Sequence, residues 1–175
     1  MTPVPPVPPE HFRRLHEYEL WANARVNASL RSARDHLEHG GAAAEAPALI
    51  KALQIWAHVQ WARKMWLSRL GAGEPPSLDE GMFPTRSLEA VIGECAEMDE
   101  RWGAYVSRLT PELLASVCRY TSTEGVAYDT VVSDILTHVV NHSTYHRGQI
   151  ARLVAECGGA VAVTDYIAFA RTRPS

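Results

Sequence analysis

Three histidines, His138, His142 and His146, recur at steps of four in the stretch from Thr137 to Gln149. In an α-helix, residues i and i+4 lie one turn apart on the same face, so two such imidazoles can reach one point in space. Neutral imidazole is the commonest protein ligand for transition metals. H-x3-H is the helical chelate spacing, shared with the His-Glu-x-x-His proteases. Here Ser143 follows the first histidine of the pair where those proteases carry glutamate, so a protease mechanism of that type is not supported. The stripe reads as a metal or polar site, against the plainer alternative of hydrogen-bonded histidines on an interior or surface face.

Two ligands on one helix leave a tetrahedral or octahedral ion short of donors, so a third must come from elsewhere. His58 is the candidate. It lies inside the apolar run from Leu53 to Trp61, and a buried histidine must be hydrogen-bonded, metal-bound or shifted in pKa. Alone it reads as a satisfied core residue; beside the pair it reads as a ligand. His11, His16, His36 and His39 fall near helix ends or loops and are expected to be solvated. Cys95, Cys118 and Cys157 are odd in number and widely spaced, without a C-x-x-C pair. That pattern argues against a thiolate zinc site or a redox dithiol, and it fits a reduced, cytoplasmic setting.

The elements that must position these residues are helical. Spacings of three and four mark helices at about 9–34, 47–70, 87–110 and 129–156, each bounded by proline, glycine or a serine cap. Between 117 and 128 the pattern turns β-branched and aromatic around Glu124-Gly125, which predicts a short hairpin. A short helix or extended piece covers 164–170. Four helices of this length with modest connections predict an all-α protein, a four-helix bundle with a β-hairpin before the last long helix. Trp21, Trp56, Trp61, Trp66 and Trp102 read as core filling at helical spacing, or as the rim of a ligand pocket. Residues 1–10 form a proline-rich tail expected to be extended, and 11–171 a single domain. The N-terminus lacks the basic and apolar stretches of a signal peptide.

The chain has 175 residues, with 17 Lys+Arg against 20 Asp+Glu for a formal charge of −3. That weak acidity offers no electrostatic footprint for nucleic acid or an anionic membrane. No apolar run approaches the roughly 20 residues of a membrane span. A soluble protein that acts on a small molecule is expected.

The stretch His138-Val-Val-Asn141-His142-Ser-Thr-Tyr145-His146-Arg147-Gly-Gln149-Ile resembles the signature of the DinB/YfiT-like family, which is distinct from the translesion polymerase sharing the name. Tyr18-Glu-Leu-Trp21-Ala-Asn23-Ala-Arg25, Trp56-Ala-His58 and Trp66-Leu-Ser-Arg-Leu70 are similar to its first- and second-helix motifs, and the likeness spans about 12–170. The resemblance implies an up-down-down-up four-helix bundle, commonly a homodimer. It also implies a divalent ion, nickel or zinc, held by His58, His142 and His146. His138 would stand beside the site, with Tyr145, Trp21 and Trp61 as pocket candidates. Arg147 and Gln149 are expected to tie helix ends or dimer contacts rather than catalyse.

A three-histidine site with open positions can activate water or a thiol. The resemblance therefore implies a metal-dependent S-transferase using a low-molecular-weight thiol cosubstrate, or a metal-dependent hydrolase. The non-enzyme alternative is a stress-related metal- or ligand-binding bundle. No plain general base accompanies the triad, which favours the thiol.

Overall fold

The computed structural model describes residues 7–40 and 46–172. Most of them are helical. In chain order the elements are α1 (Pro9–His39), α2 (Pro47–Arg69), α3 (Leu88–Val106), α4 (Pro111–Ala115), β1 (Val117–Thr121), β2 (Ala127–Val131), α5 (Val132–Glu156) and α6 (Tyr166–Ala170).

The boundaries follow local chemistry. Both α1 and α2 start with proline in the first turn, where a missing N–H costs nothing. Pro9 and Glu10 thus belong to α1 rather than to an extended tail, whose residues 1–6 lie outside the described residues. Ser87 caps α3 by accepting from the Ala90 N–H, as its sequence predicts. Thr110 does the same for α4 through the Leu113 N–H. That short helix was not anticipated, although Thr-Pro-Glu is a start signal.

β1 and β2 pair antiparallel, from Val117 opposite Val131 to Thr121 opposite Ala127. Gly125 holds φ +83° at their turn. Because Asp129–Val131 are committed to this ladder, α5 starts three residues later than its periodicity suggests. α1 in turn runs to His39, beyond the predicted end near 34.

α2 packs against α5 and α3, and α1 packs chiefly against α3 and α5, with a lighter contact to α2. One apolar cluster joins Leu30, Trp56, Val91, Ile150 and Val154, and a second joins Phe12, Leu67, Trp102 and Val139. Trp56 and Trp102 are core residues, whereas Trp21, Trp61 and Trp66 are only half-buried.

Two buried arginines cross-link the helices through this apolar interior. Arg147 of α5 donates to Glu19 of α1 at 2.7 Å, to the Tyr18 hydroxyl at 3.0 Å and to Thr144 at 2.8 Å. Arg63 of α2 donates to Asp99 of α3 at 2.7 Å, and Asn23 of α1 meets the same carboxylate oxygen at 2.8 Å. Breaking a buried pair from one side leaves an uncompensated charge. Glu19→Ala is therefore expected to lower unfolding free energy by roughly 3–5 kcal/mol in urea titrations. Pairing Glu19→Leu with Arg147→Met should recover most of that loss; a single variant as stable as the parent would show that the pair does not hold α5 to α1.

His16 departs from the solvated expectation. It is half-buried, with its Nε2 only 3.1 Å from where a side chain on Gly103 would begin, so α1 approaches α3 closely there. Burial, and secondarily the Arg63 charge, lowers its pKa; Asp99 and Glu17 pull the other way. With the folded value depressed, the unfolded chain takes up a proton first as pH falls. Stability linked to His16 is thus present above the unfolded pKa of about 6.5 and lost below it. The stability of the metal-free protein should fall less steeply from about pH 6.5 to about pH 5 in His16→Gln than in the parent. Identical slopes in chemical denaturation would remove His16 from the pH dependence.

Candidate metal centre

His58 sits midway along α2, flanked by the buried residues Ile55, Trp56, Ala57 and Val59. That stretch is apolar on nearly every side because α1, α3 and α5 all press on it, so its one imidazole is carried into the interior. His142 and His146 project from α5 one turn apart, toward α2. His58 and His146 are buried and His142 is half-buried.

The three rings converge through their Nε2 atoms. His142 Nε2 lies 3.2 Å from His58 Nε2 and 3.2 Å from His146 Nε2. One ring nitrogen from each residue falls within 4.8 Å of the other two. Metal–nitrogen bonds of about 2.0–2.1 Å separate adjacent ligand atoms by about 2.8–3.4 Å across octahedral and tetrahedral geometries, a range that includes the two 3.2 Å distances.

The opposite ring nitrogens fix which atoms carry protons. His58 Nδ1 lies 2.8 Å from the Met82 carbonyl oxygen, which can only accept, so Nδ1 donates. His146 Nδ1 likewise lies 2.8 Å from Gln149 Oε1. In neutral rings both Nε2 atoms then present lone pairs to the centre. His142 Nε2 can carry at most one proton, so at least one of the two 3.2 Å contacts has no proton directed between its nitrogens. A cation among the three nitrogens resolves that conflict, and neutral imidazoles are what a metal requires.

Burial also disfavours protonation. The His142 pKa is pushed down to about 3, first by burial and then by His146, His58 and His138. Burial lowers His58 too; the Met82 carbonyl works against that shift and His146 adds to it.

Aromatic rings close the site. Phe83 stacks on His58 with centroids 4.2 Å apart, and Trp61 lies nearly parallel at 6.3 Å. Tyr145 meets His146 edge-on at 5.1 Å, its ring largely exposed. His138 stands at the solvent edge, 5.6 Å from the His142 ring and edge-on to Trp66 at 5.4 Å. Trp21 is placed elsewhere: its ring contacts are Tyr18 and Phe169, and the Arg25 guanidinium lies 4.0 Å over it. The structure thus brings together His58, His142, His146, Trp61 and Tyr145, leaves His138 at the margin and separates Trp21.

Gln149 acquires a role that the motif alone did not assign. Three residues after His146, it returns to the same helix face, a spacing from which the contact could have been read. The Met82 carbonyl and the Phe83 ring come from the connection between α2 and α3, and no spacing rule reaches them.

A mostly helical protein with three converging histidines that could hold an ion is the class this fold and site define. The DinB family model matches residues 16–174, and the chain belongs to the DinB family. It is similar to Protein DinB of Bacillus subtilis (strain 168), with 26% identity over 159 residues, 87% of this chain and 90% of the relative. A crystal structure of a DinB-like protein from Bacillus cereus ATCC 10987 shares the fold, with a TM-score of 0.64 at 18% identity. That match covers 88% of this chain and 95% of the other.

Groups that orient a ligating histidine typically contribute 10- to 100-fold to metal affinity. Gln149→Ala should weaken zinc or nickel binding by roughly that factor in competition against a chromogenic chelator, with helix content unchanged by circular dichroism. Unaltered affinity would mean that the His146 ring is held without it.

Proposed function

We propose that this protein is a divalent-metal-dependent enzyme in which His58, His142 and His146 hold one nickel or zinc ion that activates a low-molecular-weight thiol for S-transfer. The observation that carries the reading is the convergence of three Nε2 atoms whose two outer partners are locked, through Nδ1, with lone pairs inward. A metal bound there supplies Lewis acidity, lowering the pKa of a coordinated thiol or water.

The chain's own residues set the rest. Phe83 and Trp61 cover the His58 ring and restrict water there. No aspartate or glutamate lines the cleft that opens beside His146, so water activation would lack a carboxylate base. The protein's own thiols are poor candidates for the nucleophile. Burial raises all three, Cys95 to about 12, and none lines that cleft. A reacting thiol would arrive with the substrate. In this reading the four long helices form an up-down-down-up bundle that works as a cytoplasmic homodimer on a small molecule, with neither nucleic acid nor membrane as partner. Among the described residues, no helix is long and apolar enough to cross a membrane.

Elemental analysis should find one metal per chain in the parent, and little in His58→Ala or His146→Ala. Metal undiminished in the double variant would sink the assignment. The loaded protein should conjugate an electrophile with a thiol and lose this in His142→Ala. Ester or amide hydrolysis without thiol dependence would replace transfer with hydrolysis; turnover of neither substrate class would leave a binding protein.

A further inference from the structure

The cleft beside His146, of about 460 Å³, lies between α2 and α5 and is lined by two cations, Lys51 and Arg152. Its volume is in the range of small-molecule sites. Lys51 precedes His58 by seven residues on α2, about 10.5 Å along the helix, and Arg152 follows His146 by six on α5, about 9 Å. Both line the cleft that His146, alone of the three histidines, also lines, and each sits about one and a half to two helical turns from the nearest histidine on its own helix.

Phe83 links Lys51 to His58. Its ring stacks on His58 at 4.2 Å, and the Lys51 ammonium lies 5.3 Å from its centroid. Lys51 has no carboxylate partner among the described residues. Arg152 pairs with Glu156 one turn on through Nη1, which leaves the other N–H groups of its fork uncommitted, and Glu156 does not line the cleft. Unpaired Lys51 and the open side of the Arg152 fork, with no carboxylate lining the cleft, give this part of it a positive field that a neutral substrate would not use.

We infer that this cleft binds an elongated organic anion, its reactive end at His146 and its anionic head group at Lys51 and Arg152, whose backbone positions lie about 9–10.5 Å along their helices from the histidines. Arg152 offers a planar fork and Lys51 a mobile point charge, a pair suited to a carboxylate or phosphate. Phe83 and the exposed Tyr145 flank an apolar middle section. The inference rests on the reading of the triad as the reacting end.

Calorimetric titration with mercaptooctanoate, mercaptooctanol and mercaptopropionate tests it. The zinc-loaded parent should bind mercaptooctanoate about five- to tenfold more tightly than the uncharged alcohol, the gain expected of two partly exposed charge contacts. Lys51→Ala/Arg152→Ala should abolish that preference while keeping its zinc by elemental analysis. Mercaptopropionate, too short to span the cleft, should bind equally to both proteins. Equal affinity for acid and alcohol in the parent, or a preference that survives in the double variant, would overturn the anion subsite.

Octanoate against octanol on metal-free protein separates the two ideas. A Lys51- and Arg152-dependent preference there, in a protein that takes up no metal, leaves the subsite standing and removes the metal reading. Normal zinc uptake with no preference does the reverse.

Discussion

The site depends on keeping three imidazole nitrogens unprotonated and close together inside a helical interior. Water would relieve the crowding by solvating each ring, and acid would relieve it by charging them. The fold blocks both routes. Burial raises the cost of an imidazolium, and each neighbouring ring raises it further, which is why His142 is pushed down to about 3. The outward hydrogen bonds to Met82 and Gln149 then decide which nitrogen of His58 and His146 faces inward. Desolvation by itself would give neutral histidines with undefined tautomers. Those two bonds turn neutrality into direction.

Holding that arrangement requires α2 and α5 to keep a fixed rotation about their axes, and apolar packing alone specifies rotation loosely. The buried arginines supply the missing specification. Arg147 directly follows His146, and successive residues on a helix point about 100° apart. His146 therefore faces α2 while Arg147 reaches α1, where Glu19 and the Tyr18 hydroxyl receive it. On α2, Arg63 follows His58 by five residues and reaches Asp99 of α3. Each helix that carries part of the histidine cluster is thus keyed by an arginine to a helix that carries none of it.

This division explains what the sequence could reveal. The periodicity of α5 exposes the His142–His146 pair directly, because a helical chelate is a spacing of four. His58 was legible as a polar residue stranded in an apolar run. Arg147 was legible only as a member of a motif, since its partner Glu19 lies 128 positions away and nothing local announces it. The Met82 carbonyl is a backbone group in an irregular connection, and sequence patterning says nothing about where such a group points. Trp21 shows the opposite failure. Its motif resembles the family's, yet the described structure commits its ring to Phe169 of α6. The start of α5 was misplaced for a similar reason: helical periodicity continues into residues that strand pairing has already claimed.

The Arg147 arrangement also bears on how the site could tolerate change. Zinc–ligand geometry allows a few tenths of an ångström of error, while a helix rotated by one residue's step would turn His142 and His146 away from His58 together. An ion bound between the helices would oppose that rotation at one end of the α2–α5 contact. The Arg147–Glu19 pair opposes it from a face about 100° further around α5, with or without an ion. Two constraints on different faces of one turn fix rotation where either alone would permit rocking about its own contact. The aim of the histidines and the stability of the fold are then properties of the same helix turn, read out on different faces. Glu19 touches neither the histidines nor the cleft, and it still belongs to the machinery that aims them.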